Sequence, residues 1–221
     1  MNILRLQISL IFLAMMGLSV IAQPSSEDLI EGLRNKTNRV KYFDVNATIL
    51  VDVDFIDISE RQVKITYQAP GKFTFEGQGL VLLPKNGVQM EYMSLLNDNY
   101  TAIDSGSETV GNTSTRIVKI IPESIESDII LAQLWIEPEL LRLVRMKTFT
   151  RSSGSYLIDF DYAAREDILP SSLVVLFDIN NMSMPVKMMN DFMNKNKAES
   201  TDETKEAKVS IRYSDYRITY Q

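Results

Sequence analysis

The chain has no cysteine and no histidine among its 221 residues, and a single tryptophan. Without cysteine there are no disulfides and no thiol nucleophile. Without histidine there is no Ser-His-Asp or Cys-His arrangement. The two absences together remove the usual ligands of zinc and copper, so neither a metal nor a cofactor is expected. Glycine-rich phosphate loops are missing as well. Gly77-Gln78-Gly79 is too short for a dinucleotide fingerprint and opens no helix. Basic residues are the minority, with 23 Lys and Arg against 29 Asp and Glu and a net charge of −6. Nucleic-acid binding demands clustered Lys and Arg, so that function class is excluded. The remaining route to catalysis is a carboxylate pair, such as Asp52 with Asp54 or Asp159 with Asp161. Each pair alternates with apolar residues and reads as the solvent face of a strand, so no enzyme is expected.

Long apolar runs are scarce too, and the only one lies at the start. Arg5 precedes the run Ile8–Val20, and Val20-Ile21-Ala22 puts small residues before Gln23-Pro24. This is the pattern of a secretory signal peptide over 1–22, cleaved after Ala22. The run is too short for a spanning helix, which needs about 20 apolar residues. Residues 23–221 are then one exported domain, large enough to bury a core without disulfide staples.

What is present is mostly alternation. Ser25-Ser26 ahead of Glu27-Asp28, with Leu29, Ile30 and Leu33, predicts an amphipathic helix over about 26–38. Phe43, Val45, Ala47, Ile49, Val51, Val53 and Phe55 then occupy successive odd positions, with Asp44, Asp52 and Asp54 between them. Period two over that length predicts a long strand with one buried face, in a register that a one-residue slip would ruin. Val63, Ile65, Tyr67 and Ala69 continue the pattern, and 72–76 makes a short third strand. Val88, Met90 and Tyr92 read as resumed alternation. The polar stretch 97–114 reads as loop with a short strand near 100–103. Further strands are expected over 116–121, 129–136, 141–150, 155–163 and 173–179. Val209 to Tyr220 forms a closing strand with a bulge near Ser214-Asp215. Among them Tyr156, Ile158 and Phe160 give another apolar face, and Trp135 reads as a core or rim anchor. Arg116, Arg142 and Arg145 are strand arginines able to meet a phosphate or carboxylate head group. Met184, Met188, Met189, Phe192 and Met193 break the pattern. They predict a short amphipathic helix or lid over about 185–196, followed by a polar linker to 208.

At Tyr67-Gln68-Ala69-Pro70-Gly71-Lys72-Phe73-Thr74-Phe75, after a helix and a long first strand, the chain resembles the lipoprotein carrier family LolA. Leu134-Trp135-Ile136-Glu137-Pro138, the strand after it, and Leu169-Pro170 before the next strand fit the same group. The resemblance covers most of the predicted mature chain and rests on order and spacing. It implies a mainly β (α+β) fold, a curved antiparallel sheet forming an incomplete barrel. An N-terminal helix and the Met-rich lid would cover its hydrophobic concave face. It also implies a monomeric periplasmic carrier of lipid or lipoprotein acyl chains, with an inner-membrane exporter and an outer-membrane acceptor as partners. On that reading the cavity wall is Val45, Ile49, Val51, Ile65, Tyr67, Phe73 and Phe75 with Tyr156, Ile158 and Phe160. The alternative is a non-catalytic regulatory or partner-binding module of the same fold. One position departs from the family: an arginine that latches the carrier's lid stands before the proline, and here that residue is Ala69.

Overall fold

A computed structural model describes residues 24–53, 56–57, 60–77, 91–152, 154–178 and 206–221. The predicted signal peptide and the whole Met-rich segment, including Met184, Met188, Met189, Phe192 and Met193, lie outside the described residues.

Helix α1 (Ser26–Asn38) starts where its capping chemistry dictates. The Ser25 side chain accepts the Asp28 N–H, and the Asp28 carboxylate accepts the Ser25 N–H in return. This reciprocal box satisfies two backbone donors that would otherwise have no partner in the first turn. Leu29, Ile30 and Leu33 fall on one side of α1 and are buried.

Strand β1 (Val40–Val53) follows after one residue and is joined by β2 (Ile56–Asp57). Then come β3 (Arg61–Gln68), β4 (Lys72–Glu76), the short helix α2 (Glu91–Leu95), β5 (Tyr100–Val110) and β6 (Thr113–Pro122). The chain ends through β7 (Ile129–Glu137), β8 (Arg142–Thr150), β9 (Ser155–Asp161), β10 (Ser172–Asp178) and β11 (Glu206–Tyr220). All strands join one antiparallel sheet in the order β4-β3-β1-β11-β10-β9-β8-β7-β6-β5, with β2 beside β1. The described ends β4 and β5 do not pair, so the sheet stays an incomplete barrel. β11 is the keystone, because it pairs β1 on one side and β10 on the other and so connects the two halves of the chain.

The odd-position face of β1 points inward: Phe43, Val45, Ala47 and Ile49 are all buried. The expected bulge is present. Register shifts between Asp44 and Asn46, and Asp215 takes a left-handed φ of 58°. A bulge needs one residue out of step, and Asp is among the side chains that tolerate that conformation.

Two expectations change. The alternation at 88–92 does not continue as a strand where it is described, because Tyr92 lies in α2. Tyr92, Met93, Leu95 and Leu96 are all buried against the core, a pattern that one face of a strand cannot supply. The stretch 97–114 is largely strand, since β5 runs from Tyr100 to Val110. Its side chains are mostly exposed and give little hydrophobic signal, so backbone pairing to β6 makes it a strand.

Candidate functional site

The inward face of the sheet is assembled by cross-strand pairs. Ile49 lies opposite Ile211, Ile211 opposite Leu173, and Leu173 opposite Phe160. One step along, Val51, Val209, Val175 and Ile158 make a parallel row over the same four strands. These rows bring the early residues Ile49 and Val51 together with the late residues Ile158 and Phe160. On the other side of β1, Val45 pairs Ile65, which pairs Phe75, and Phe43 pairs Tyr67, which pairs Phe73. Tyr156 closes the set opposite Phe177. All ten residues named from the sequence therefore belong to one apolar face. Val45, Ile49, Ile65, Tyr67, Tyr156, Ile158 and Phe160 are buried, while Val51, Phe73 and Phe75 are half-buried and packed against the same cluster.

The half-buried members gather at the β4 end. Phe43 stacks on Tyr67 at 5.2 Å, Tyr67 meets Phe73 at 4.9 Å, and Phe73 stacks on Phe75 at 6.4 Å. An aromatic stack running from a fully buried ring to half-buried ones grades from core to rim. Such rings contribute area and preferred offset geometry together.

The helices cover part of this face. Tyr92 of α2 stands edge-on over Phe160, with centroids 5.4 Å apart and planes at 88°. Arg34 of α1 donates from Nε to the Leu96 carbonyl at 2.5 Å and from a terminal nitrogen to the Tyr100 hydroxyl at 2.8 Å. It thereby ties α1 to the end of α2 and to β5. Lys36 donates to the Leu140 carbonyl at 2.7 Å, and Leu141 lies against Gly32, where an added Cβ would come within 2.9 Å of it. That close approach explains a glycine in mid-helix, at some cost in helix propensity.

The strand arginines are engaged in ion pairs with the protein's own carboxylates. Arg116 is paired with Asp104, Arg142 with Glu137 at 2.6 Å, and Arg145 with Asp159 through two bonds of 2.5 and 2.9 Å. The Asp159 carboxylate holds the Arg145 guanidinium above its ordinary pKa. Asp159 is thus committed to an ion pair, and Asp161 accepts from Ser172 at 3.3 Å. Trp135 is buried on the opposite, convex face and donates to the Glu108 carboxylate at 2.7 Å. Ala69 packs against the core and gives its N–H to the Lys41 carbonyl, with no guanidinium at the position where the family's latch would be.

Sequence reasoning missed Val209, Ile211, Leu173 and Val175 as members of the face, although their alternation was visible. What was missing was the knowledge that β11 inserts between β1 and β10. Tyr92 was missed because its segment read as a strand.

No family model matches the sequence, and no curated protein does. Solved structures do match. A LolA superfamily protein from Nitrosomonas europaea superposes with a TM-score of 0.55 at 8% identity, over 90% of this chain and 95% of that one. The chain has a LolA-like fold. A DUF1329 family protein from Desulfovibrio piger gives 0.56 at 9% identity, covering 87% and 92% of the two chains. A domain from Vibrio parahaemolyticus, described as belonging to outer membrane lipoprotein sorting, gives 0.54 at 10%, covering 88% and 93%. At such identity the LolA-like likeness is one of backbone course. No helix among the described residues is long and apolar enough to cross a membrane.

Proposed function

We propose that this LolA-like protein is a non-catalytic periplasmic binder of acyl chains, holding lipid or lipoprotein hydrocarbon on the inward face of its half-barrel for transfer to the outer membrane. The observation that carries the reading is the union of two distant apolar patterns on one unclosed sheet, graded at β4 from buried to half-buried aromatics. The energetics fit. Burying a chain contributes about 0.8 kcal/mol per methylene, whereas a net hydrogen bond gives about 1 kcal/mol. Affinity would come from Val45, Ile49, Val51, Ile65, Tyr67, Phe73, Phe75, Tyr156, Ile158 and Phe160, and polar groups would orient the head. The Met-rich segment 184–193 would supply an adaptable cover. An exporter on the inner membrane and an acceptor on the outer membrane would be its partners.

A second reading has one observation behind it. α2 already occupies part of the inward face through Tyr92 on Phe160. A filled half-barrel would act through its surface, as a partner-binding or regulatory module. Mass spectrometry of organic extracts of the purified protein, with displacement of a fluorescent fatty acid, separates the two. Co-purified acyl lipid and saturable displacement support the carrier. Absence of both favours the filled module and overturns the carrier.

A further inference from the structure

The outward face of the sheet is not uniformly polar. Eight large apolar side chains stand exposed among the described residues, and five of them gather in one place. They are Ile103 on β5, Ile121 on β6, Ile125 in the turn before β7, Ile130 on β7 and Phe149 on β8. Ile125 is 87% exposed. Register explains the gathering. Ile103 lies opposite Lys119, Lys119 opposite Gln133, and Gln133 opposite Lys147. In the next row toward the turn, Thr101 faces Ile121 and Leu131 faces Phe149. Leu131 and Gln133 alternate with Ala132 and Leu134, which are fully buried on the inward side, so both rows point outward. Four adjacent strands thus carry one apolar patch, with a lysine row about 7 Å behind it along the strands. Scattered exposed apolar residues are ordinary, but a contiguous patch marks a surface that meets something.

The charges narrow what it meets. Lys119 and Lys147 form no ion pair among the described residues. Lys147 lies 5.2 Å over the Phe149 ring. Neighbouring acids are engaged or turned elsewhere. Asp159 holds Arg145, Asp128 accepts from Ser152, and Glu123 lines a polar pocket with Arg34 and Tyr100 on the α1 side. Glu126 stays exposed at the rim of the patch. A chain of net charge −6 therefore shows its cations beside its exposed apolar surface, which complements an anionic partner. The residue types favour lipid over protein. Protein interfaces enrich Tyr, Trp, Met and Arg and deplete Lys, whereas this patch is Ile, Phe and Lys. The face also curves outward and offers a peptide no groove. Aliphatic side chains flanked by lysines, whose stems lie along apolar surface, suit a lipid headgroup layer.

We infer that the outward face of β5–β8 docks the protein on an anionic bilayer. Ile121, Ile125, Ile130 and Phe149 enter the headgroup–acyl boundary, and Lys119 and Lys147 stay at phosphate level. The acyl-binding reading concerns the other side of the sheet, so the two stand or fall separately.

Vesicle flotation of the purified protein tests this. Phosphatidylcholine vesicles containing phosphatidylglycerol are compared with phosphatidylcholine alone, at low and high salt. The protein floats with the anionic vesicles at low salt and is released at high salt, because headgroup attraction is screened. Lys119→Gln with Lys147→Gln weakens partition by about fivefold per lysine and leaves the melting temperature unchanged. Ile121→Ser with Phe149→Ser weakens it as well. If that sheet variant fails to fold, Ile125→Ser in the exposed turn supplies the apolar arm. Absence of flotation overturns the inference. Equal partition onto neutral and anionic vesicles overturns the anionic-bilayer assignment, and flotation that none of the variants weakens places the contact on another face. A wild-type dimer in sedimentation that Ile125→Ser dissociates, without flotation, gives the patch to a second copy and overturns the inference too.

Discussion

Asp44 is a carboxylate buried on the outer side of β1, between two of the most deeply buried residues of the core, Phe43 and Val45. It stays charged because Arg217, its cross-strand neighbour, donates to it at 2.8 Å, with a further bond from the Tyr42 hydroxyl. The Arg217 hydrogen bond is the largest cause holding its carboxyl below the ordinary aspartate range. Asp104 is lowered as well, first by the Gly106 N–H and also by Arg116. The sign follows from linkage. A carboxyl whose folded pKa is depressed contributes stability above its unfolded value, about 3.9, and that contribution is lost as pH falls through the folded value. Melting temperature should therefore hold down to about pH 4 and drop below it. Asp44→Asn should lower stability at pH 7 and flatten the acid limb. Thermal melts of both proteins from pH 7 to pH 2.5 check this, and parallel curves would refute it. Much at this scale was legible beforehand: Ser25 and Asp28 as a cap, and the inward positions of β1. The pairing of Arg217 with Asp44 was not, because the two lie far apart in sequence and meet only through the register of β11.

Among elements, the two helices show what local pattern can and cannot say. α1 was readable because a cap, an acidic first turn and apolar spacing agree. α2 was not, because five residues carry too little periodicity, and its helical form depends on packing beneath α1. Arg34 is the joint between them. A guanidinium bonded to a helix-end carbonyl is a charge-assisted contact, and deleting such a donor typically costs about 1.5–3 kcal/mol. Arg34→Ala should therefore destabilise by about 1.5–3 kcal/mol in denaturant unfolding. It should also speed amide exchange in α2 more than in β8 or β9. Uniform exchange rates would argue that α2 is held by apolar contacts alone. β5 makes the complementary point. A polar edge strand gives almost no sequence signal, and the same polarity guards the edge that is unpaired among the described residues against pairing with another chain.

For the molecule as a whole, the single tryptophan offers a test of where binding occurs. Trp135 is buried on the convex side with its indole N–H on Glu108, across the sheet from the inward face. Ligand entry at the inward face should change its emission little, whereas unfolding should shift it strongly to the red. A large change on adding a fatty acid at fixed stability would place the ligand on the convex side instead.

The alternation of apolar and polar residues determined by itself that most of this chain is strand, and which side of each strand is buried. Side-chain direction in a strand is a local property with period two. The absence of histidine and cysteine set limits on the chemistry in the same local way. Only the tertiary structure decided which strands are neighbours. It placed Ile49 and Val51 in rows with Phe160 and Ile158, consumed the strand arginines in internal ion pairs, and set Tyr92 and Tyr213 into one interior. Register between distant segments is fixed by the burial of the whole sheet, and no window of sequence contains it.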